Sequence, residues 1–309
     1  MAEKKVVTQI STPKLQREGG GFLVRKVIGG IIPSCDPFLM LDHIGPVDNK
    51  PGESVGAPDH PHRGFETVTY VIDGGIKHKD SEGNKGNLKE GWVQWMTAGR
   101  GIVHAEMPTD EIMENGGRME GFQLWTNLPA KHKMIAPRYQ EMKPEEMASV
   151  ENEENKYTVK IISGTVNGVS SKINTLVPIT FLDIHLQPGG QFTHDIPPGF
   201  NSIAYVWRGS GVLGSMPAHM GQVGLLSEKG TAFTMKATDQ DCHILLIAGE
   251  IINEPIVKYG PFVMNTQAEI DQAVADYQAG LLGSIPGKEE RLQQTEIALA
   301  RQRESGTWT

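Results

Sequence analysis

Cysteine is nearly missing: Cys35 and Cys242 are the two in 309 residues, one in each half. Two distant thiols make neither a disulfide framework nor a thiolate metal site, and they fit a reducing compartment. Long apolar runs are missing too, since none approaches the roughly 18 residues of a membrane span. The start, Met1-Ala2-Glu3-Lys4-Lys5-Val6-Val7, lacks the apolar core of a signal peptide and the arginines of a transit peptide. Positive charge is scarce. There are 29 Lys and Arg against 37 Asp and Glu, a formal net charge of −8, with no basic run of useful length. That balance argues against direct nucleic-acid binding. Aromatics are 6 %, so 13 methionines take up part of the core volume. The chain is expected to be cytoplasmic and free of membranes, with the nucleus open to it if its source is eukaryotic.

Glycine, by contrast, is abundant at 36 residues, and it divides the chain into short β-prone runs. Phe22-Leu23-Val24-Arg25-Lys26-Val27-Ile28 follows Gly19-Gly20-Gly21 and stops at Gly29-Gly30. Phe38 to Leu41, Glu66 to Ile72, Trp92 to Met96, Ile102 to Met107 and Gly121 to Trp125 continue the series. Short strands with turns between them predict an all-β sandwich or barrel rather than a βαβ fold. The length predicts more than one domain.

A second series begins at Thr180-Phe181-Leu182-Asp183-Ile184-His185-Leu186 and continues through Ser202 to Trp207, Val223 to Leu226, Ala232 to Met235 and Cys242 to Ala248. The two series echo each other. Thr69-Tyr70-Val71-Ile72-Asp73-Gly74 matches Ala204-Tyr205-Val206-Trp207-Arg208-Gly209, and Gly91 to Met96 matches Gly230 to Met235 in spacing. An internal duplication of one barrel unit explains this. Between them, Glu141 to Lys156 carries Pro144 and six glutamates and reads as a solvated connection with one short helical turn.

After Pro261 the pattern turns helical. Thr266-Gln267-Ala268-Glu269 is a capping box. Ile270, Ala273, Val274 and Tyr277 share one helical face, and Gly280 or Gly283 ends the helix. Lys288 to Arg303 is a weaker helical pattern, charged all round except at Leu292, Ile297 and Leu299. It reads as a mobile or loosely docked tail, the alternative being a partner-binding helix. The expected divisions are residues 1–140, 141–265 and 266–309.

The chemistry concentrates between Gly56 and Pro108. In a strand, alternate side chains share a face, so His60 and His62 look one way together, as do His104 and Glu106. Strand pairing of the two would gather three imidazoles and a carboxylate around one point. Isolated histidines such as His43, His78, His132, His185 and His219 read as structural or surface residues. Mixed nitrogen and oxygen ligands suit iron, manganese, cobalt, nickel, copper or zinc, and affinity alone does not choose among them. Four protein ligands on an octahedral ion leave positions for water, substrate or dioxygen. Glu66 falls on the face of His62 by parity, as a fifth ligand or an acceptor orienting an imidazole; otherwise it partners Arg63 or Arg100. In the second half Asn201 stands where Glu66 does, Leu245 where Glu106 does and His243 where His104 does, and the His60/His62 pair shrinks to His194. Metal binding is expected in the first half only.

Four groups of residues, taken in order, resemble the pirin family of the cupin superfamily. They are His60-Pro61-His62-Arg63-Gly64-Phe65-Glu66-Thr67-Val68, Gln94-Trp95-Met96-Thr97-Ala98-Gly99-Arg100-Gly101, His104-Ala105-Glu106-Met107-Pro108 and Gly260-Pro261-Phe262-Val263-Met264-Asn265-Thr266. The resemblance extends to about Leu282. It implies two cupin-type β-barrel domains of the double-stranded β-helix, or jelly-roll, kind, followed by a C-terminal helical segment. It implies one metal ion, iron first, held by His60, His62, His104 and Glu106. Cupins at large take the glutamate from the position of Glu66; pirins take it from that of Glu106.

The activity implied is that of a quercetin 2,3-dioxygenase, opening a flavonol-like ring with O2 and releasing carbon monoxide. A metal would act as a Lewis acid on the flavonol 3-hydroxyl, with Glu106 as proton acceptor and Glu66 in reserve. The rival expectation is a metal- and redox-dependent regulator that binds a transcription factor or a metabolic enzyme, with Arg63 and Arg100 transmitting the oxidation state. A sugar isomerase or storage protein fits poorly, because only those two arginines stand near the motif.

Overall fold

A computed structural model describes residues 3–18 and 20–306. Met1 and Ala2 at the start, Gly19 of the first glycine run and the last three positions of the tail, 307–309, lie outside them. The chain forms two units. One comprises Met1–Lys14, Lys26–Leu39 and Glu145–Asn253; the other comprises Leu15–Arg25, Met40–Pro144 and Glu254–Thr309.

The first strands in order are β1 (Val7–Ser11), β2 (Leu15–Glu18), β3 (Phe22–Ile28), β4 (Phe38–Asn49), β5 (Ala57–His62) and β6 (Phe65–Asp73). They are followed by β7 (Gly75–Asp80), β8 (Lys85–Lys89), β9 (Val93–Thr97), β10 (Ile102–Pro108), the short helix α1 (Asp110–Asn115), β11 (Gly117–Asn127) and β12 (Arg138–Met142). A seven-stranded sheet runs β12-β9-β6-β11-β4-β3-β2, and a four-stranded sheet runs β5-β10-β7-β8. Together they form the barrel of the unit that carries the histidine motif. Every residue of β9 is buried, as is β6 from Phe65 to Val71, so both strands are covered on both faces. β10 alternates instead. Val103 and Ala105 pack with Phe262, Met264, Ile270 and Ala273, which leaves His104 and Glu106 for the barrel interior.

Those packing partners come from the C-terminal part of the chain. The hairpin Val257–Tyr259/Phe262–Met264 leads into α2 (Gln267–Gln278), after which comes α3 (Lys288–Ser305). α2 starts at the expected capping box: Thr266 accepts from the Glu269 backbone N–H at 3.3 Å, and the Glu269 carboxylate accepts from the Thr266 N–H at 2.9 Å.

The other unit is a nine-stranded sheet whose main path is β1, Gln222–Leu226, Phe200–Leu213, Ala232–Glu250, Ile179–Leu186, Tyr157–Ser163 and Ala148–Asn152. Its interior is apolar, with Phe192, Leu213, Phe233 and Met235 among its buried side chains. The two cupin domains and the C-terminal helices are those the sequence leads one to expect. No helix among the described residues is long and apolar enough to cross a membrane.

Two expectations are corrected. Glu141 to Lys156 is not simply a solvated connection. It does hold the one helical turn, Pro144–Glu146, but Ala148–Asn152 pairs along Tyr157–Ser163 as the edge of the sheet. Ala148, Val150 and Asn152 are half-buried while Ser149 and Glu151 are exposed, an alternation that the glutamates obscured. The tail is not loose either. α3 is a helix of 18 residues docked through Arg291, Thr295, Ala298 and Gln302.

Candidate metal centre

The motif closes as strand pairing requires. β10 runs antiparallel to β5 with His104 opposite His60 and Ile102 opposite His62. The ring centroids are 4.3 Å apart for His60 and His104, 4.9 Å for His62 and His104, and 4.8 Å for His60 and His62. One nitrogen from each ring lies within 4.8 Å of the others, the one such cluster of three or more ligating residues among the described residues. A single ion at bonding distance from all three fits that spacing.

Several contacts orient the rings. His60 Nδ1 lies 2.8 Å from the Pro58 carbonyl and donates to it, which leaves Nε2 with its lone pair available to an ion. His62 is edge-on to Phe65 at 5.1 Å and to Trp125 at 5.3 Å. Beyond His62 the chain is latched to the C-terminal hairpin. The Arg63 N–H donates to Pro261 O at 3.3 Å, and the Val263 N–H donates to Arg63 O at 3.1 Å. Gly64 makes this possible. Its φ is +88°, and a Cβ there would run into the Val263 carbonyl. The buried Lys133 ammonium secures the same turn, donating to Gly64 O at 2.8 Å, Val263 O at 3.0 Å and Asn127 Oδ1 at 2.7 Å.

Without an ion the three imidazoles are neutral. Burial pulls the His60 pKa down to about 4, helped by the neighbouring His104 and opposed by Glu106. Burial likewise holds His62 well below its usual value, with His60 and His104 adding to the effect, and takes His104 down to about 3. Among the described residues, neither ring nitrogen of the buried His104 has a hydrogen-bond partner. Leaving such a group unsatisfied costs about 1–3 kcal/mol. Neutral, converging and unpartnered imidazole nitrogens are the donor set a divalent first-row ion requires, so the residues fit a metal.

Glu106 stands beside the trio. Its Oε2 is 3.9 Å from His104 Nε2, and its Oε1 accepts from Thr69 Oγ1 at 3.0 Å. Glu66 is elsewhere. Phe65 and Thr69 of β6 face the histidines and Glu106, so alternation turns Glu66 to the opposite face. There it accepts from Thr97 at 2.6 Å and Thr126 at 3.4 Å, its cross-strand neighbours. The parity that aligned Glu66 with His62 fails because the Arg63-Gly64 turn separates β5 from β6. Burial raises the Glu66 pKa, against the bonds from Thr97 and Trp95.

The rest of the lining carries no signal in the motif itself. His78 lies opposite Glu106 across β7 and β10, buried and bonded to Glu141 at 3.1 Å. Gln94 donates to the same carboxylate at 2.8 Å. His60, Glu106, Gln123 and Trp125 are half-buried, whereas His62 and His104 are buried. The open side of the centre is therefore the side of the first four. In the other unit, His243 stacks on His185 at 4.4 Å and His194 on Phe192 at 6.0 Å.

Comparisons with known proteins agree with this geometry. The family model described as Pirin matches residues 21–126, and that described as the Pirin C-terminal cupin domain matches residues 181–283. The chain is 45% identical to pirin-like protein 2 of Arabidopsis thaliana over 289 residues, covering 91% of this chain and 86% of that one. It is 40% identical to human pirin over 284 residues, covering 90% and 94%. The crystal structure of a quercetin 2,3-dioxygenase from Acinetobacter baumannii superposes with a TM-score of 0.86 at 35% identity, covering 91% of this chain and 99% of that one.

Proposed function

The chain belongs to the pirin family, and from that premise we propose that it is a metal-dependent dioxygenase of the quercetin 2,3-dioxygenase type. The substrate is a flavonol or a similar aromatic enol. Its ring opens with O2, and one ring carbon leaves as carbon monoxide. The observation that carries this reading is the pairing of three neutral, convergent imidazoles with a carboxylate held just outside them. His60, His62 and His104 hold the ion, with Glu106 as the fourth ligand, and iron is the ion assigned first. When bound, such an ion supplies Lewis acidity and a place for O2 chemistry.

The protein's own groups do the rest. Glu106 takes the proton of the 3-hydroxyl; the Thr69 bond fixes one of its oxygens and leaves the other turned to the histidines. The half-buried Trp125 ring, beside His62 and within 4.5 Å of Phe65, offers an aromatic wall for a flat substrate. His62 and His104, on the closed side, keep water from that flank.

The test is anaerobic mixing of the metal-loaded protein with quercetin, then admission of oxygen. The flavonol absorption band should bleach and carbon monoxide should appear, and His62→Ala should abolish both. A fully loaded protein that leaves the band intact would overturn the assignment. In that event a redox-dependent regulator is the reading that remains. It is favoured by Arg63, which follows His62 in sequence and joins the exposed Arg100, through its backbone carbonyl at 2.6 Å, to Asp276 of α2 at 2.8 Å.

A further inference from the structure

The helix α3 reaches the ligand strand through one buried ion pair. α3 has no apolar stripe. The residues it buries are Arg291, Thr295, Ala298 and Gln302, an i, i+4, i+7, i+11 series on one face. The polar members are bonded rather than merely covered. Thr295 Oγ1 donates to Arg291 O at 3.1 Å. Gln302 Nε2 donates to Glu53 O at 2.8 Å, and its Oε1 accepts from Arg17 at 3.2 Å. Gly52, at φ +75°, leaves the space that the Arg301 guanidinium occupies.

Arg291 is the strongest of these contacts. Its Nε and Nη2 donate to the two oxygens of Asp59 at 2.6 and 2.9 Å. Two of the three remaining guanidinium hydrogens go to Pro286 O at 2.9 Å and Ile285 O at 3.1 Å. The two side chains are 10% and 4% exposed. A two-point ion pair with two further donors also occupied allows one geometry, where a lysine would allow several.

Asp59 lies between Pro58, whose carbonyl orients the His60 ring, and His60 itself. Between Ala57 and His60, β5 spends three residues against two of β10, and in that irregular stretch the Asp59 carboxylate turns to α3. The helix thus grips the strand at the residue flanked by the ligand and by the ligand's orienting carbonyl. His62 and His104 have other supports, in Phe65 and Trp125 for the first and in the packing of Val103 and Ala105 for the second.

We propose that Arg291 is a positioning residue for the metal centre: by clamping Asp59 from α3 it fixes the Pro58 carbonyl and hence the imidazole of His60, one ligand of the three. This inference rests on the reading of His60 as a ligand. It makes α3 an external setting for metal affinity and ligand geometry.

The experiment uses full-length, metal-stripped protein and Co(II) as probe. It follows the visible ligand-field spectrum, the Co(II) dissociation constant and the thermal midpoint without metal. Arg291→Met and Asp59→Asn should weaken Co(II) by about tenfold or more, the range for partners that orient a ligand, and should change the shape of the visible bands. Arg291→Lys should recover only part of the loss. Gln302→Ala loosens the same helix at its far end; it should lower the thermal midpoint and leave the Co(II) spectrum as in the wild type. Unchanged spectra and affinity in both Arg291→Met and Asp59→Asn would overturn the inference. So would a Gln302→Ala spectrum altered to the same degree, because general docking would then suffice. A wild-type protein that fails to bind Co(II) would instead remove the metal reading on which the inference stands.

Discussion

Thr69 of β6 donates its hydroxyl to Glu106 of β10 at 3.0 Å, a bond that crosses from one sheet of the barrel to the other. Gln123 Oε1 is 2.9 Å from the same hydroxyl, but a hydroxyl has one proton and a carboxylate is the stronger acceptor. Thr69→Val keeps the shape and removes the donor. Flavonol turnover should fall about tenfold, matching roughly 1–1.5 kcal/mol for the lost bond, while bound metal per chain stays the same. Unaltered turnover would show that Glu106 is held by other means.

Glu106→Gln separates the two roles proposed for that residue, ligand and proton acceptor. It retains the three imidazoles, so the protein should still load metal with weaker affinity. Turnover should drop by about two to four orders of magnitude, the usual contribution of a positioned base. Flavonol bleaching normalised to metal content measures this.

Glu66→Gln should behave in the opposite way. The amide oxygen still accepts from Thr97, and the substitution removes a carboxylate that burial disfavours in its charged form. The expected result is turnover within about threefold of wild type and a thermal midpoint that is unchanged or raised. A loss comparable to that of Glu106→Gln would return Glu66 to the chemistry.

The neutral imidazoles make the metal-free protein acid-sensitive. His60 and His104 titrate at about 4 and about 3 when folded, against 6.5 when unfolded. Between those values the unfolded chain binds more protons, so stability rises with pH there and is lost as pH falls below about 6.5. Thermal midpoints of chelated protein should be flat from about pH 7 to 8 and decline steadily from pH 6.5 toward 4. His104→Gln should make that decline shallower.

Lys133 supports the turn after His62. Burial lowers its pKa to about 8, and its ammonium serves three oxygens. Lys133→Met leaves those oxygens buried without a donor and should cost about 3 kcal/mol. Urea denaturation of the metal-free protein would record this as a lower midpoint with the slope unchanged.

Much of the site could be read in the chain because its rules are local. His60 and His62 share a face, and so do His104 and Glu106, through the two-residue period of a strand. The capping box at Thr266 and Glu269 likewise depends on neighbours three residues apart. The residue-by-residue match between the halves was not legible: the matching sheet orders make Gln222–Leu226 the repeat of β9 and the stretch around Ile244 the repeat of β11, so Leu245 does not stand at the position of Glu106. The face of Glu66 is not local in this way, because it depends on how many residues the Arg63-Gly64 turn consumes, and Gly64 is shaped by Val263, about two hundred residues away in the chain.

The β-rich class and the pairing of His60 with His62, and of His104 with Glu106, on shared strand faces were legible in the chain, because they follow from the two-residue period of a strand. The direction of Glu66, the bond from Thr69 to Glu106 and the docking of the charged helix α3 arise only once the chain is folded. Those outcomes depend on pairs such as Arg291 and Asp59, which no periodicity links. A buried ion pair on a polar helix face resembles an exposed charged surface in the sequence, and only its partner across the fold distinguishes the two.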